Sequence, residues 1–261
     1  QGTFKYLGDQ QTPKYNLTNT GLREGNFSTG LGILKKGWDI NAYYSLFHQN
    51  LGILKSSHIG NLTDLQNAIA SNRPLIIQPF TYNIENPRQQ IAHHLAKINI
   101  IKFFKHDNHL DVTYSFQLNN RKEYDIRRGG RSSIPALAMN LYSNNLLASY
   151  SRTKQFIKKN SRLEGKSGFN FLAKHNANNP ETGIRPLIPD YYQYSTGIFD
   201  MEKFFIKNFI VELGGRYDVT RFYGYKFDKS NKLLKPVYNF HTYAFNVGKK
   251  KKNNTDNIQL Q

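Results

Sequence analysis

His93 and His94 are the first residues that invite a chemical reading, because imidazole is a common metal ligand. Neighbours on a strand point to opposite faces, so these two cannot chelate one ion together. His106 and His109 flank a short predicted turn and read as solvated. A stronger cluster is Arg121, Lys122, Arg127, Arg128 and Arg131, all within one predicted loop. It has two readings: a wet loop touching anionic lipid head groups, or a grip on an anionic ligand. The planar fork of arginine suits carboxylates and phosphates. Arg185 and Asp190 precede Tyr191, Tyr192 and Tyr194 at the entry to a predicted strand. The tyrosines fit an interfacial aromatic girdle or a substrate platform. Glu212, Arg216 and Asp218 share the polar face of a strand and can form an ion-pair ladder. Lys249 to Lys252 form a basic run that reads as a soluble rim.

Several chemistries find no support. The chain has no cysteine, which removes thiolate metal sites and disulfides. No P-loop, nucleophile elbow, zinc spacing or paired-carboxylate site stands in a supporting context, so neither an enzyme nor a cofactor is expected.

The elements that must position these side chains repeat every two residues, which marks strands with unlike faces. Across 109–119, Leu110, Val112, Tyr114, Phe116 and Leu118 oppose His109, Asp111, Thr113, Ser115 and Gln117. Residues 26–33, 38–49 and 209–219 behave alike. Further strands are expected at 91–103, 136–152, 166–175, 191–204 and 240–248, with a last one starting at Asn257. One helix is expected where Asn61 caps a turn and Asp64 follows three residues later, ahead of an apolar stripe of Leu62, Leu65 and Ile69.

The connections alternate in length. Residues 35–37, 104–108, 153–165, 205–208 and 249–256 are mostly short, whereas 50–90, 120–135, 176–190 and 220–239 are long. A membrane barrel has this property, because tight turns occupy one rim and long loops the other. The short side is expected to be periplasmic and the long side extracellular. The composition agrees: 36 basic against 18 acidic residues, only 38% hydrophobic, yet 14% aromatic. No stretch approaches the roughly 20 apolar residues of a membrane helix. The first residues carry no secretory signal, and the expectation is a chain trimmed at its start.

Gly183-Ile-Arg-Pro-Leu-Ile-Pro-Asp-Tyr191 leads into Tyr194-Ser-Thr-Gly-Ile-Phe-Asp-Met-Glu202, and a short turn later comes Val211-Glu-Leu-Gly-Gly-Arg-Tyr-Asp218. This resembles the barrel of TonB-dependent outer-membrane receptors, in which a strand of type G-I-F-x-x-E precedes a partner ending G-x-R-Y-D. Residues 79–95 are similar to mid-barrel segments of receptors from Bacteroidetes. Residues 245–248 with 257–261 resemble the hairpin preceding that family's A-x-R-x-P strand.

The resemblance implies an all-β, antiparallel, up-and-down transmembrane barrel. About ten strands of a barrel of about 22 are present, so residues 1–261 form an incomplete barrel domain with no plug domain. It also implies a Gram-negative outer-membrane location and TonB-dependent uptake of a scarce anionic or iron-bearing ligand, such as a ferric siderophore or haem. The partners implied are outer-membrane lipid and, through the missing plug, the TonB complex; nucleic acid is not expected. The residues expected at the ligand are Arg121, Arg127, Arg128, Arg131, Arg185, Tyr191 and Tyr192. Two alternatives stay open: a passive porin-type barrel, and a soluble basic all-β protein that binds nucleic acid or glycan.

Overall fold

The computed structural model describes residues 1–57, 61–127, 131–156 and 161–251. Ten strands form one antiparallel sheet: β1 (Gly2–Leu7), β4 (Leu22–Lys35), β5 (Trp38–Gly52), β6 (Arg88–Phe103), β7 (His109–Tyr124), β8 (Leu137–Phe156), β9 (Ser161–Asn178), β10 (Tyr191–Ile206), β11 (Phe209–Gly224) and β14 (Val237–Lys251). They lie side by side in chain order. Two tiny hairpins, β2 (Gln10–Gln11) with β3 (Asn16–Leu17) and β12 (Lys226–Phe227) with β13 (Leu233–Leu234), decorate the connections. The sheet is open, with β1 and β14 at its edges.

Register explains the alternation of residue types. Directly paired residues share a face. One row across nine strands reads Ile33, Ile40, Ile100, Val112, Ala148, Phe169, Ile198, Tyr217 and Tyr243. The adjacent row, one residue along each strand, faces the other way. It reads Gly32, Asn41, Asn99, Thr113, Leu147, Asn170, Gly197, Asp218 and Thr242. The next row returns to the first face with Leu31, Ala42, Ile98, Tyr114, Leu146, Phe171, Thr196, Val219 and His241. The sheet therefore has a belt face of apolar and aromatic side chains and a polar face.

The belt face is not covered by protein. Ile33 is 63% exposed, Ile198 59% and Tyr243 71%. Among the described residues the only buried hydrophobic residue is Ala138, whereas Thr18, Asn19 and Asn176 are buried. A water-soluble chain of this length would be expected to gather its isoleucines and phenylalanines into a core. This sheet spreads them over one surface, which a hydrocarbon solvent would satisfy. No helix among the described residues is long and apolar enough to cross a membrane, and crossing by strands is unaffected by that.

The connections alternate as expected. Residues 36–37, 104–108 and 207–208 are tight turns, with Lys36, His106, Asp107 and Lys207 at positive φ. The other end carries the long connections 8–21, 53–87, 125–136, 179–190 and 225–236. The expected helix is present as α1 (Leu62–Ala70), where the Asn61 side chain accepts a bond from the Asp64 N–H.

Several boundaries differ from expectation. β1 was not anticipated. Its exposed sequence GTFKYL alternates, but it has a partner on one side only. β8 and β9 run to Phe156 and from Ser161, so most of the expected connection 153–165 is strand. Lys249 to Lys251, expected in a turn, belong to β14, and Lys252 lies outside the described residues. The strand expected from Asn257 lies outside them as well.

Candidate functional site

The long connections form a knitted layer at one end of the sheet. Asn19, at positive φ, is its densest knot. Its side-chain amide donates to the carbonyls of Ile53 (2.9 Å), Glu85 (3.2 Å) and Pro87 (2.8 Å), and its Oδ1 accepts from the Glu85 N–H (2.8 Å). Gly52 is packed so closely that an added Cβ would lie 2.4 Å from the Asn19 carbonyl oxygen. Thr18 donates to the Ile76 carbonyl, and Lys55 pairs with Glu85 at 2.5 Å. Asn86 reaches the Ser132 carbonyl in the next long loop, and Arg127 reaches the Thr182 carbonyl (3.2 Å) in the one after.

A cleft lies where residues 178–190 meet the hairpin β12–β13. It encloses about 640 Å³, and Ile184, Arg185, Leu187, Tyr225, Phe227 and Leu233 line it. Leu187 is 95% exposed at its mouth. Asp190, the acid in its lining, is committed to loop closure: it accepts from the Asn178 N–H and side-chain amide, both 2.7 Å. Two cations, Arg185 and Lys226, line the cleft. Arg185 lies 4.4 Å over the Phe227 ring and pairs with no carboxylate among the described residues. An apolar cleft with two cations and an acid spent on loop closure suits an anion with an apolar body.

The expected site residues are dispersed. Arg121 and Lys122 are in β7, not in a loop; the run Asn119 to Tyr124 stays extended although both its faces are polar, which hides the two-residue period. Arg121 is held by Glu123 at 2.5 Å on the polar face. Arg127 braces the neighbouring loop, and Arg131 lies beside Gly183, 3.6 Å from where its Cβ would be. Arg128 lies outside the described residues. Only Arg185 lines the cleft. Tyr191 is on the polar face beside Phe222, with ring centroids 5.2 Å apart. Tyr192 is on the belt face, in a ladder of rings Tyr142, His175, Tyr192 and Tyr223 spaced 4.0–5.9 Å.

His93 and His94 take opposite faces, His93 near Asn119 (3.2 Å) and His94 near the Tyr44 hydroxyl (2.8 Å). No metal-binding cluster occurs among the described residues. Of the expected ladder, Arg216 pairs with Asp218 (2.6 Å) and donates to Asn170 (2.7 Å), whereas Glu212 pairs with Lys203 on the neighbouring strand (2.6 Å). The hairpin wall formed by Tyr225, Phe227 and Leu233 was missed; its signal was the pair of turn residues Ser230-Asn231 between short apolar runs.

No protein-family model and no curated protein matches the chain. Solved structures do. The unliganded ferric citrate transporter FecA matches 88% of this chain with a TM-score of 0.57 at 14% identity. The siderophore receptor PiuA from Acinetobacter baumannii matches 90% (0.52, 11%). The hemophore receptor HasR from Serratia marcescens, solved with its hemophore HasA and heme, matches 95% (0.52, 9%). The fold is that of a TonB-dependent outer-membrane receptor barrel.

The chain covers 34%, 40% and 35% of those three chains, so it spans about a third of their length. In such a barrel the apolar face is outermost and the polar face lines the lumen. That places the ring ladder in a girdle on the outside of this receptor-barrel fold and the Arg216–Asp218 pair in its lumen. The solved structures it resembles are transporters and receptors.

Proposed function

We propose that this chain is part of the wall of an outer-membrane receptor, not an enzyme, that takes up a scarce anionic ligand with energy relayed by TonB. The observation that carries the reading is the sheet itself: three consecutive rows alternate apolar, polar and apolar across nine strands, with every long loop at one end. The membrane location follows from the belt face, and the ligand class from the cleft around Arg185. A ferric siderophore or haem fits that cleft in charge and in apolar surface. The plug, as partner of the polar face, and the TonB complex, reached through that plug, enter from the family resemblance.

These 261 residues contain no cysteine, so a cysteine introduced among them is the one reporter in this segment. Single cysteines at Leu187 and at Asn208 in the full-length protein should react differently with a membrane-impermeant maleimide on intact cells. Leu187→Cys should label and Asn208→Cys should not; the reverse pattern would overturn the orientation.

Arg185→Ala should weaken ligand uptake at limiting concentration by roughly 10- to 100-fold, the range for losing a charge-assisted hydrogen bond. Arg121→Ala should change it little, because Arg121 is already spent on Glu123. Equal losses in the two variants would reject the cleft as the ligand site.

A further inference from the structure

The charges near the loop end of the sheet are sorted by face. On the belt face, one row across β4 to β7 reads Arg23, Asn50, Gln90 and Lys122. Arg88 stands two residues further along β6, between Gly52 and Tyr124. These rows hold three cations and no acid. At the same height on the polar face stand Glu24 and Glu123, and both are neutralised there, by Lys5 at 2.9 Å and Arg121 at 2.5 Å.

The three belt-face cations have no acidic partner among the described residues. The two arginines are braced by rings and backbone instead. Arg23 lies 5.1 Å over Tyr6 and donates to the Tyr82 carbonyl (3.3 Å), and Arg88 lies 4.4 Å over Tyr124.

Their height also matters. The apolar belt ends on this side with the row Phe27, Leu46, His94 and Leu118. Arg23 and Lys122 lie four residues beyond it, about 13 Å along the strand. They are three strand spacings apart, about 14 Å. Acyl chains packed against the belt would carry their head groups to this level.

We infer that Arg23, Arg88 and Lys122 form a contact site for the phosphate groups of membrane lipids on the outer wall of the sheet. The inference rests on the membrane reading above and adds to it a lipid class and the residues that select it. A lipid is the occupant because the cations continue the apolar belt on the same face. A soluble anion would need no such continuity.

The test uses the full-length protein in nanodiscs of phosphatidylcholine, alone or mixed with phosphatidylglycerol. The readouts are the lipids retained in native mass spectrometry and the thermal unfolding midpoint. The wild type should retain phosphatidylglycerol preferentially and unfold at higher temperature in the mixed discs, and added salt should erase both effects.

A surface cation near an anionic bilayer is worth about a fivefold change in affinity, so the R23Q/R88Q/K122Q variant should lose roughly 100-fold. K249Q, at the opposite end of the belt face, should keep the preference. If the triple variant fails to fold, R23Q/K122Q should still lose roughly 25-fold.

Failure of the wild type to enter nanodiscs would overturn the membrane reading and the inference with it. Entry without an anionic preference, or a preference unchanged in the variants, would overturn the inference alone. Displacement of the lipid by inorganic phosphate would assign the site to a free anion and would also overturn it.

Discussion

Ile100→Arg is expected to destabilise the folded, membrane-embedded protein by about 2–4 kcal/mol, the cost of an arginine on the lipid face of a barrel near mid-bilayer. Ile100 sits in the middle of its row, with Ile40 on one side and Val112 on the other. No acid stands within that row to receive the guanidinium. Thr113→Arg is the matched control. It lies one row away on the polar face, next to Asn99 and within reach of the Asp111 carboxylate. Its cost should stay within about 1 kcal/mol, as for a wet ion pair. Reversible urea unfolding from lipid vesicles measures both. A similar cost at the two sites would mean that the faces are not solvated differently, and the barrel reading would fall with that result.

Asn19→Ala should have the second large effect, confined to the loops. The substitution leaves the carbonyls of Ile53, Glu85 and Pro87 and the Glu85 N–H without a side-chain partner in a buried place. An orphaned buried polar group costs about 1–3 kcal/mol. Water will enter to rescue part of this, so a net local loss of about 3 kcal/mol is expected. Amides of residues 53–57 and 81–86 should then exchange roughly 100-fold faster, while those of β6 and β7 stay protected. Unchanged exchange in the loops would show that the knot is not what orders them.

The strands were legible wherever their two faces meet different solvents. Residues 109–118 could be read directly, because Leu110, Val112 and Tyr114 belong to the belt and Asp111 and Thr113 to the polar face. The period vanished where both faces are wet. Asn119 to Tyr124 continue β7 by backbone pairing with Arg88 to His93, and nothing in their side chains announces it. For that reason Arg121 and Lys122 were expected in a loop. The cleft was harder still. Arg185 was singled out beside the strand entry of Tyr191 and Tyr192, but its apolar wall comes from Phe227 and Leu233, some forty residues later. Contacts between loops depend on which hairpins stand side by side, and local pattern does not carry that information.

Every extensive strand contact in the sheet joins immediate neighbours. Among the described residues no strand makes an extensive contact with a distant one. Each hairpin thus behaves as a tile, bonded along two seams and indifferent to the rest of the row. Such a construction can be widened or narrowed by whole tiles, each adding a fixed increment of circumference and one outward loop. Loops that crown neighbouring tiles touch one another, as Asn86 does Ser132 and Arg127 does Thr182, so a change of loop is felt by its neighbours while the seams beneath keep their spacing.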